Sequence, residues 1–193
     1  MLRVFACAIL IISASLLPTV KLLARAQAQH QIDGCEGKSE TTPDQIIESC
    51  TAAIKSTGRS NPNLAIAYTH RGNAYLKNKD MNRAIADYTE ALRLNPKYGV
   101  AAFDLCAMTY NSGDTNAATA ACKRAIAIDP RKADAYFILG SLEFGLSHLE
   151  NGKPVAPPDT EANLDKYLTL APSGGHAAEV KEMLKYLKTG KTD

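Results

Sequence analysis

The chain contains no tryptophan and only four phenylalanines, and neither sign of charge predominates: 22 Lys and Arg face 20 Asp and Glu over 193 residues. A balance this close excludes the basic footprint of a nucleic-acid binder. No phosphate-cradling Gly-rich loop, dinucleotide fingerprint, nucleophile elbow or zinc-protease helix motif occurs, so we expect no enzyme and no cofactor. There is no C-x-x-C pair, and His30, His70, His148 and His176 are not spaced as ligands, so no metal site is expected. What is present suits a folded protein. Apolar residues make up 46% of the chain, which excludes a disordered or collagen-like polymer. The length suits one domain of roughly 100–200 residues.

One long uncharged run, Val4 to Val20, follows Arg3 and precedes alanine-rich sequence in which Ala24-Arg25-Ala26 and Ala26-Gln27-Ala28 place small residues two apart. Basic start, apolar run and small-residue site form the order of a secretory signal peptide. Residues 1–28 are therefore read as a signal cleaved after Ala28, and the protein as exported to a bacterial periplasm. The alternative is an inner-membrane anchor formed by residues 4–20, because 17 apolar residues reach the lower limit of a span of about 17–25. Cys7 precedes most of the run and is read as a small apolar member of the signal. Residues 1–28 carry Arg3, Lys21 and Arg25 and no acid, so the remainder has 19 basic and 20 acidic residues, a net charge of −1. That balance does not point to an anionic membrane or a nucleic acid as partner.

Beyond the signal stand Cys35, Cys50, Cys106 and Cys122, an even number in a chain expected to meet oxidising conditions. Four cysteines allow three pairings. Cys35 lies in the irregular stretch IDGCEGKSETTP and Cys50 on the helix that follows, so a Cys35–Cys50 bridge would tie the N-terminal segment 29–43 to that helix. Closing such a short loop is worth on the order of 3 kcal/mol. A buried free thiol is the alternative for each cysteine.

The rest of the chain repeats itself at a lag of 34 residues. Ala67, Asp80, Asn82, Ala84, Ala86, Ala91 and Pro96 recur as Ala101, Asp114, Asn116, Ala118, Ala120, Ala125 and Pro130. Ala84, Tyr88, Ala91 and Leu92 fall on one face of a helix, as do Tyr68, Gly72 and Tyr75 on the segment before. Each period reads as helix, polar turn, helix, and a stop at Asn95-Pro96 or Asp129-Pro130. Small residues at Gly72, Ala84 and Ala91 let the two helices approach closely, and the tyrosines fill the space around them. One hairpin cannot bury both of its faces, so neighbours must stack. The expected fold is all-α, a short α-solenoid of stacked antiparallel helix hairpins.

In period and in its Tyr, Gly, Tyr, Ala, Tyr, Ala and Pro positions, residues 65–96 (AIAYTHRGNAYLKNKDMNRAIADYTEALRLNP) resemble the tetratricopeptide repeat family. The resemblance covers about 44–190: a partial unit at 44–62, repeats at 65–98, 99–132 and 133–174, an inserted loop at 151–159 within the third, and a C-terminal capping helix at 176–189. Thr42-Pro43-Asp44-Gln45 suits a helix start. Cys106 stands where the family has Gly and Cys122 where it has a large aromatic. Those places lie on facing helices in the family, so the resemblance implies a Cys106–Cys122 bridge.

The resemblance also implies a protein or peptide partner held in a concave groove lined by the first helices, at about 64–78, 99–112 and 133–149. Helical phase gives Thr69, Asn73 and Leu76 on the first, Phe103, Ala107 and Tyr110 on the second, and Phe137, Ser141 and Phe144 on the third. The aromatics among them form either an apolar trough or a surface covered by the inserted loop or the cap. Some family members hold a terminal carboxylate in a clamp of Lys, Asn and Arg. Here the matching places are Thr69, Asn73, Asp104, Asp134 and Ile138, and the two acids would repel a carboxylate. Asp80, Asp87 and Glu90, near Lys77, Lys79 and Arg83, are read as a solvated face. The expected function is a non-enzymatic exported adaptor, scaffold or assembly factor. The alternatives are a self-associating or membrane-tethered spacer and an accessory subunit of an envelope enzyme.

Overall fold

The computed structural model describes Leu23, Cys35 and residues 41–56 and 63–191. The signal peptide expected at 1–28, the anchor alternative at 4–20 and most of the segment 29–43 lie outside the described residues. Among the described residues eight helices follow in order: α1 (Pro43–Ser56), α2 (Leu64–Lys77), α3 (Met81–Leu94), α4 (Gly99–Asn111), α5 (Thr115–Ile128), α6 (Ala133–Gly145), α7 (Thr160–Leu170) and α8 (Ala177–Thr189). A two-stranded antiparallel ribbon, β1 (His148–Glu150) and β2 (Lys153–Val155), lies between α6 and α7.

Each helix packs on the next along the chain, most extensively within the hairpins α2–α3, α4–α5 and α6–α7. The first helices α4 and α6 also pack on each other, with no comparable contact between α5 and α7. Ala67, Ala101 and Ala135, one per repeat, are all fully buried.

The ends of the helices follow from local chemistry. At α1 the Thr42 backbone N–H donates to Gln45 Oε1 at 2.9 Å and the Gln45 N–H to Thr42 Oγ1 at 3.4 Å, a reciprocal capping box. Asp80 and Asp114 cap α3 and α5 by accepting from the backbone N–H of Arg83 and Ala117. Asn95 and Asp129 each precede a proline, which drives both to the same extended conformation, with φ −130° and ψ 91° and 93°.

Within each hairpin one pair of facing positions sets the helix spacing. In α2–α3 it is Gly72 and Tyr88: a Cβ added to Gly72 would lie 2.8 Å from Tyr88 Cε1. In α4–α5 the same positions are Cys106 and Cys122, joined as a disulfide with Cα atoms 4.6 Å apart. In α6–α7 they are Gly140 and Leu164, where a Cβ would lie 2.7 Å from Leu164 Cδ2. Cys50 on α1 occupies the place of Tyr88 and Cys122 by sequence, and it is bridged to Cys35 with a Cα separation of 4.7 Å. All four cysteines are fully buried.

A polar tie crosses the first three helices. Arg71 on α2 donates from Nε and Nη2 to the two oxygens of Asp87 on α3, both at 2.8 Å, and from Nη1 to Thr51 on α1 at 3.0 Å. Its guanidinium also lies near the rings of Tyr68 and Tyr75. The Asp87 hydrogen bonds hold the Arg71 pKa above its usual value. Asp87 therefore leaves the solvated face expected for it. It is buried, and its partner is on the facing helix. Asp80 pairs with Arg83 and Glu90 with Arg93 on the surface, as i,i+3 pairs.

The third first helix is shorter than expected. It ends at Gly145, and residues 148–155, partly expected as helix and partly as loop, form the ribbon instead. Asn151 and Gly152 have φ of 51° and 78°, the two left-handed residues that a tight hairpin turn needs. β2 packs against α8.

Two stability outcomes follow. Gly72→Ala should lower stability by about 1–3 kcal/mol by overpacking against Tyr88, whereas Gly145→Ala, with no neighbour near its added Cβ, should be neutral. Urea denaturation of the oxidised protein reads both. Arg71→Met should cost about 3–5 kcal/mol because it strands the buried Asp87 carboxylate, and Arg71→Met/Asp87→Leu together should cost less than Arg71→Met alone.

Candidate functional site

The nine residues assigned to a groove by helical phase fall into three groups. On α2, Thr69 is buried and its hydroxyl donates to the Ala65 carbonyl at 2.9 Å, so it offers nothing to a partner. Asn73 is half-buried and its Oδ1 accepts from the Tyr88 hydroxyl at 2.6 Å. Burial holds the Tyr88 phenol well above its usual pKa, with Asp104 and Asp87 adding to the effect. Leu76 is half-buried against the cluster of Tyr75, Ala84, Tyr88 and Met108.

On α4 none of the three expected side chains is fully buried. Phe103 and Ala107 are half-buried and Tyr110 is exposed. Val100, one turn before Phe103, is 53% exposed.

On α6 the C-terminal segment covers the expected positions. Phe137 is only 7% exposed. Its ring stacks on His176 with centroids 3.7 Å apart and also meets Tyr167 at 5.7 Å. Phe144 is half-buried, with the ring of Tyr186 on α8 edge-on to it at 5.8 Å. The Ser141 hydroxyl is buried without a partner. Thr69 and Phe137 are thus corrected from groove residues to packed ones. Phe137 is covered because the segment after α7 brings His176 onto its ring, where the Tyr167 hydroxyl accepts from the His176 backbone N–H at 3.0 Å.

Sequence reasoning missed a cleft of about 470 Å³ at the N-terminal end of α4. Tyr98, Val100, Phe103 and Asp104 line one side, and Asp129 and Lys132, from the link between α5 and α6, line the other. The Lys132 ammonium sits 4.1 Å from the Phe103 ring centroid. Burial raises the Asp104 carboxyl above its usual pKa, while Lys132 pulls it back down. The i, i+3 spacing of Val100 and Phe103 could have placed Val100 on this face. The link residues belong to the next repeat, so no reading of a single helix reaches them. Among the described residues no group of His, Cys, Asp and Glu is placed to hold a metal. No described helix is long and apolar enough to cross a membrane.

The two aromatic positions should respond differently to truncation. Phe137→Ala should cost about 3–5 kcal/mol of stability, whereas Phe103→Ala, at the open cleft, should cost about 1 kcal/mol or less. Thermal or urea denaturation of the two variants separates them.

The model of the tetratricopeptide repeat family matches residues 65–98. No curated protein sequence matches the chain. Among solved structures the chain is similar to MamA, at 19% identity and a TM-score of 0.60, over 77% of this chain and 78% of that one. It is similar to the first TPR of Spaghetti (RPAP3), a structure with bound HSP90 peptide SRMEEVD, at 19% identity and a TM-score of 0.57, over 69% of this chain and all of that one. It is also similar to YrrB, described as a TPR protein with an unusual peptide-binding site, at 21% identity and a TM-score of 0.56, over 72% of this chain and 66% of that one. At these identities the likeness is one of fold. Residues 65–98 are a tetratricopeptide repeat, and the hairpins stacked on either side complete the fold that the tetratricopeptide-repeat structures share.

Proposed function

We propose that the protein is a non-enzymatic interaction module that binds a segment of another protein along the open face of α4, as an adaptor or assembly factor outside the cytoplasm. The observation that carries this reading is the contrast between the first helices. The α6 aromatics meet rings of the chain's own C-terminal segment, while on α4 Val100 and Tyr110 are exposed and Phe103, half-buried, lines a cleft of about 470 Å³. An apolar strip of this kind on a stacked-hairpin scaffold suits a peptide segment. The peptide bound to RPAP3 and the peptide site described for YrrB support the class of ligand. The strongly acidic peptide of the former does not suit this chain, because Asp104 and Asp134 stand at the positions where a carboxylate clamp would need polar or basic groups. Export is supported by the two buried disulfides, which form and persist in oxidising compartments.

A self-associating spacer is the second reading, favoured by Leu146 and Leu149, which are 59% and 61% exposed at and beside the ribbon. Crosslinking the tagged full chain in its native envelope separates the two. The parent should capture a partner that a Phe103→Glu/Tyr110→Glu variant of unchanged helix content loses by about tenfold or more. Capture of the same partners by both forms would overturn the α4 reading. A crosslink between two copies, lost in Leu149→Glu, would support the spacer.

A further inference from the structure

The α4 cleft carries more negative than positive charge among the described residues. Two carboxylates, Asp104 and Asp129, face one ammonium, Lys132. Asp129 is engaged: it ends α5 and its Oδ1 accepts from the Arg131 backbone N–H at 3.0 Å. Asp104 is half-buried, and among the described residues none donates a hydrogen bond to it or forms an ion pair with it. Lys132 lies over the face of Phe103 and forms no ion pair with either acid, although its charge is felt at Asp104. The apolar wall of the same cleft, Val100 and Phe103, sits directly beside the unmatched carboxylate.

Resting on the reading of α4 as the binding face, we propose that the bound segment sets an apolar side chain against Val100 and Phe103 and a cation, a Lys, an Arg or an N-terminal amine, on Asp104. The site is then a selector for apolar–basic peptides. An acidic segment meets Asp104 and Asp129 and is repelled, and a purely apolar one leaves Asp104 half-desolvated without a partner. Lys132 acts as the resident competitor. It partly neutralises Asp104 in the free protein, and a bound cation has to overcome its repulsion.

The test pans a random peptide library displayed on phage against the immobilised, oxidised chain, with subtraction on Phe103→Glu. Affinities of synthetic copies of the enriched peptides are then measured by fluorescence anisotropy. The proposal requires enriched peptides that pair an apolar residue with a neighbouring cation. Asp104→Asn should weaken them by about tenfold and Asp104→Glu should keep the preference. Lys132→Gln should tighten binding by about threefold. Each variant's melting curve confirms that it folds. Enriched peptides that are neutral or acidic, or that bind Asp104→Asn as well as the parent, overturn the cation rule and leave the α4 face standing. Failure of any peptide to enrich over the Phe103→Glu control overturns both.

Discussion

In each hairpin two antiparallel helices meet where one position gives up its side chain and the facing position fills the gap. Gly72 and Tyr88, then Gly140 and Leu164, do this by packing, at distances that leave no room for a methyl group on the glycine. Cys106 and Cys122 do it with a covalent bond at the same two places, and Cys50 with Cys35 repeats the device at the first helix. Everything else in the array depends on that spacing. It brings the alanines Ala67, Ala101 and Ala135 into full burial. It also aligns Arg71 with Asp87 across the same interface, so that a buried charge finds its partner on the facing helix.

Much of this register can be read from the chain. The Gly72–Tyr88, Arg71–Asp87 and Cys106–Cys122 pairs are all 16 residues apart, because a turn of fixed length joins helices of fixed length. The repeat therefore gave away the helices and the proline stops, and the family resemblance implied the Cys106–Cys122 bridge. It did not give away Asp87 as a buried residue, because a charge that follows two lysines and an arginine in sequence looks solvated until the facing helix is brought over it. The ribbon at 148–155 carried its own signal, Asn151-Gly152 between short extended runs. The prolines around it read instead as an irregular loop.

The candidate site was legible in part and for a similar reason. Helical phase identifies which side chains point away from the hairpin interface, and it chose Phe103, Ala107 and Tyr110 on those grounds. It knows nothing of what lies across from them. Phe137 occupies the position of Phe103 one repeat later, yet His176, from the segment after α7, stacks on it. Identical phase thus yields an open residue in one repeat and a packed one in the next. The difference lies in contacts between units, which the sequence of one unit does not encode.

The order of the clasps along the chain also shapes how the protein comes apart. A stacked array held only by nearest-neighbour contacts melts from its ends inward, unit by unit, and frays before it unfolds. Here covalent clasps sit at the first and third places, α1 and the α4–α5 hairpin, with packed clasps at the second and fourth. The first packed hairpin therefore lies between two units that cannot separate their strands of chain. Each bridge closes a loop inside one unit, 35–50 or 106–122, so it limits how far that unit opens and leaves its contact with the next unit to packing. While its disulfides are intact, the two bridged units stay compact even when parted from their neighbours, a restraint that the α6–α7 hairpin and its cap lack.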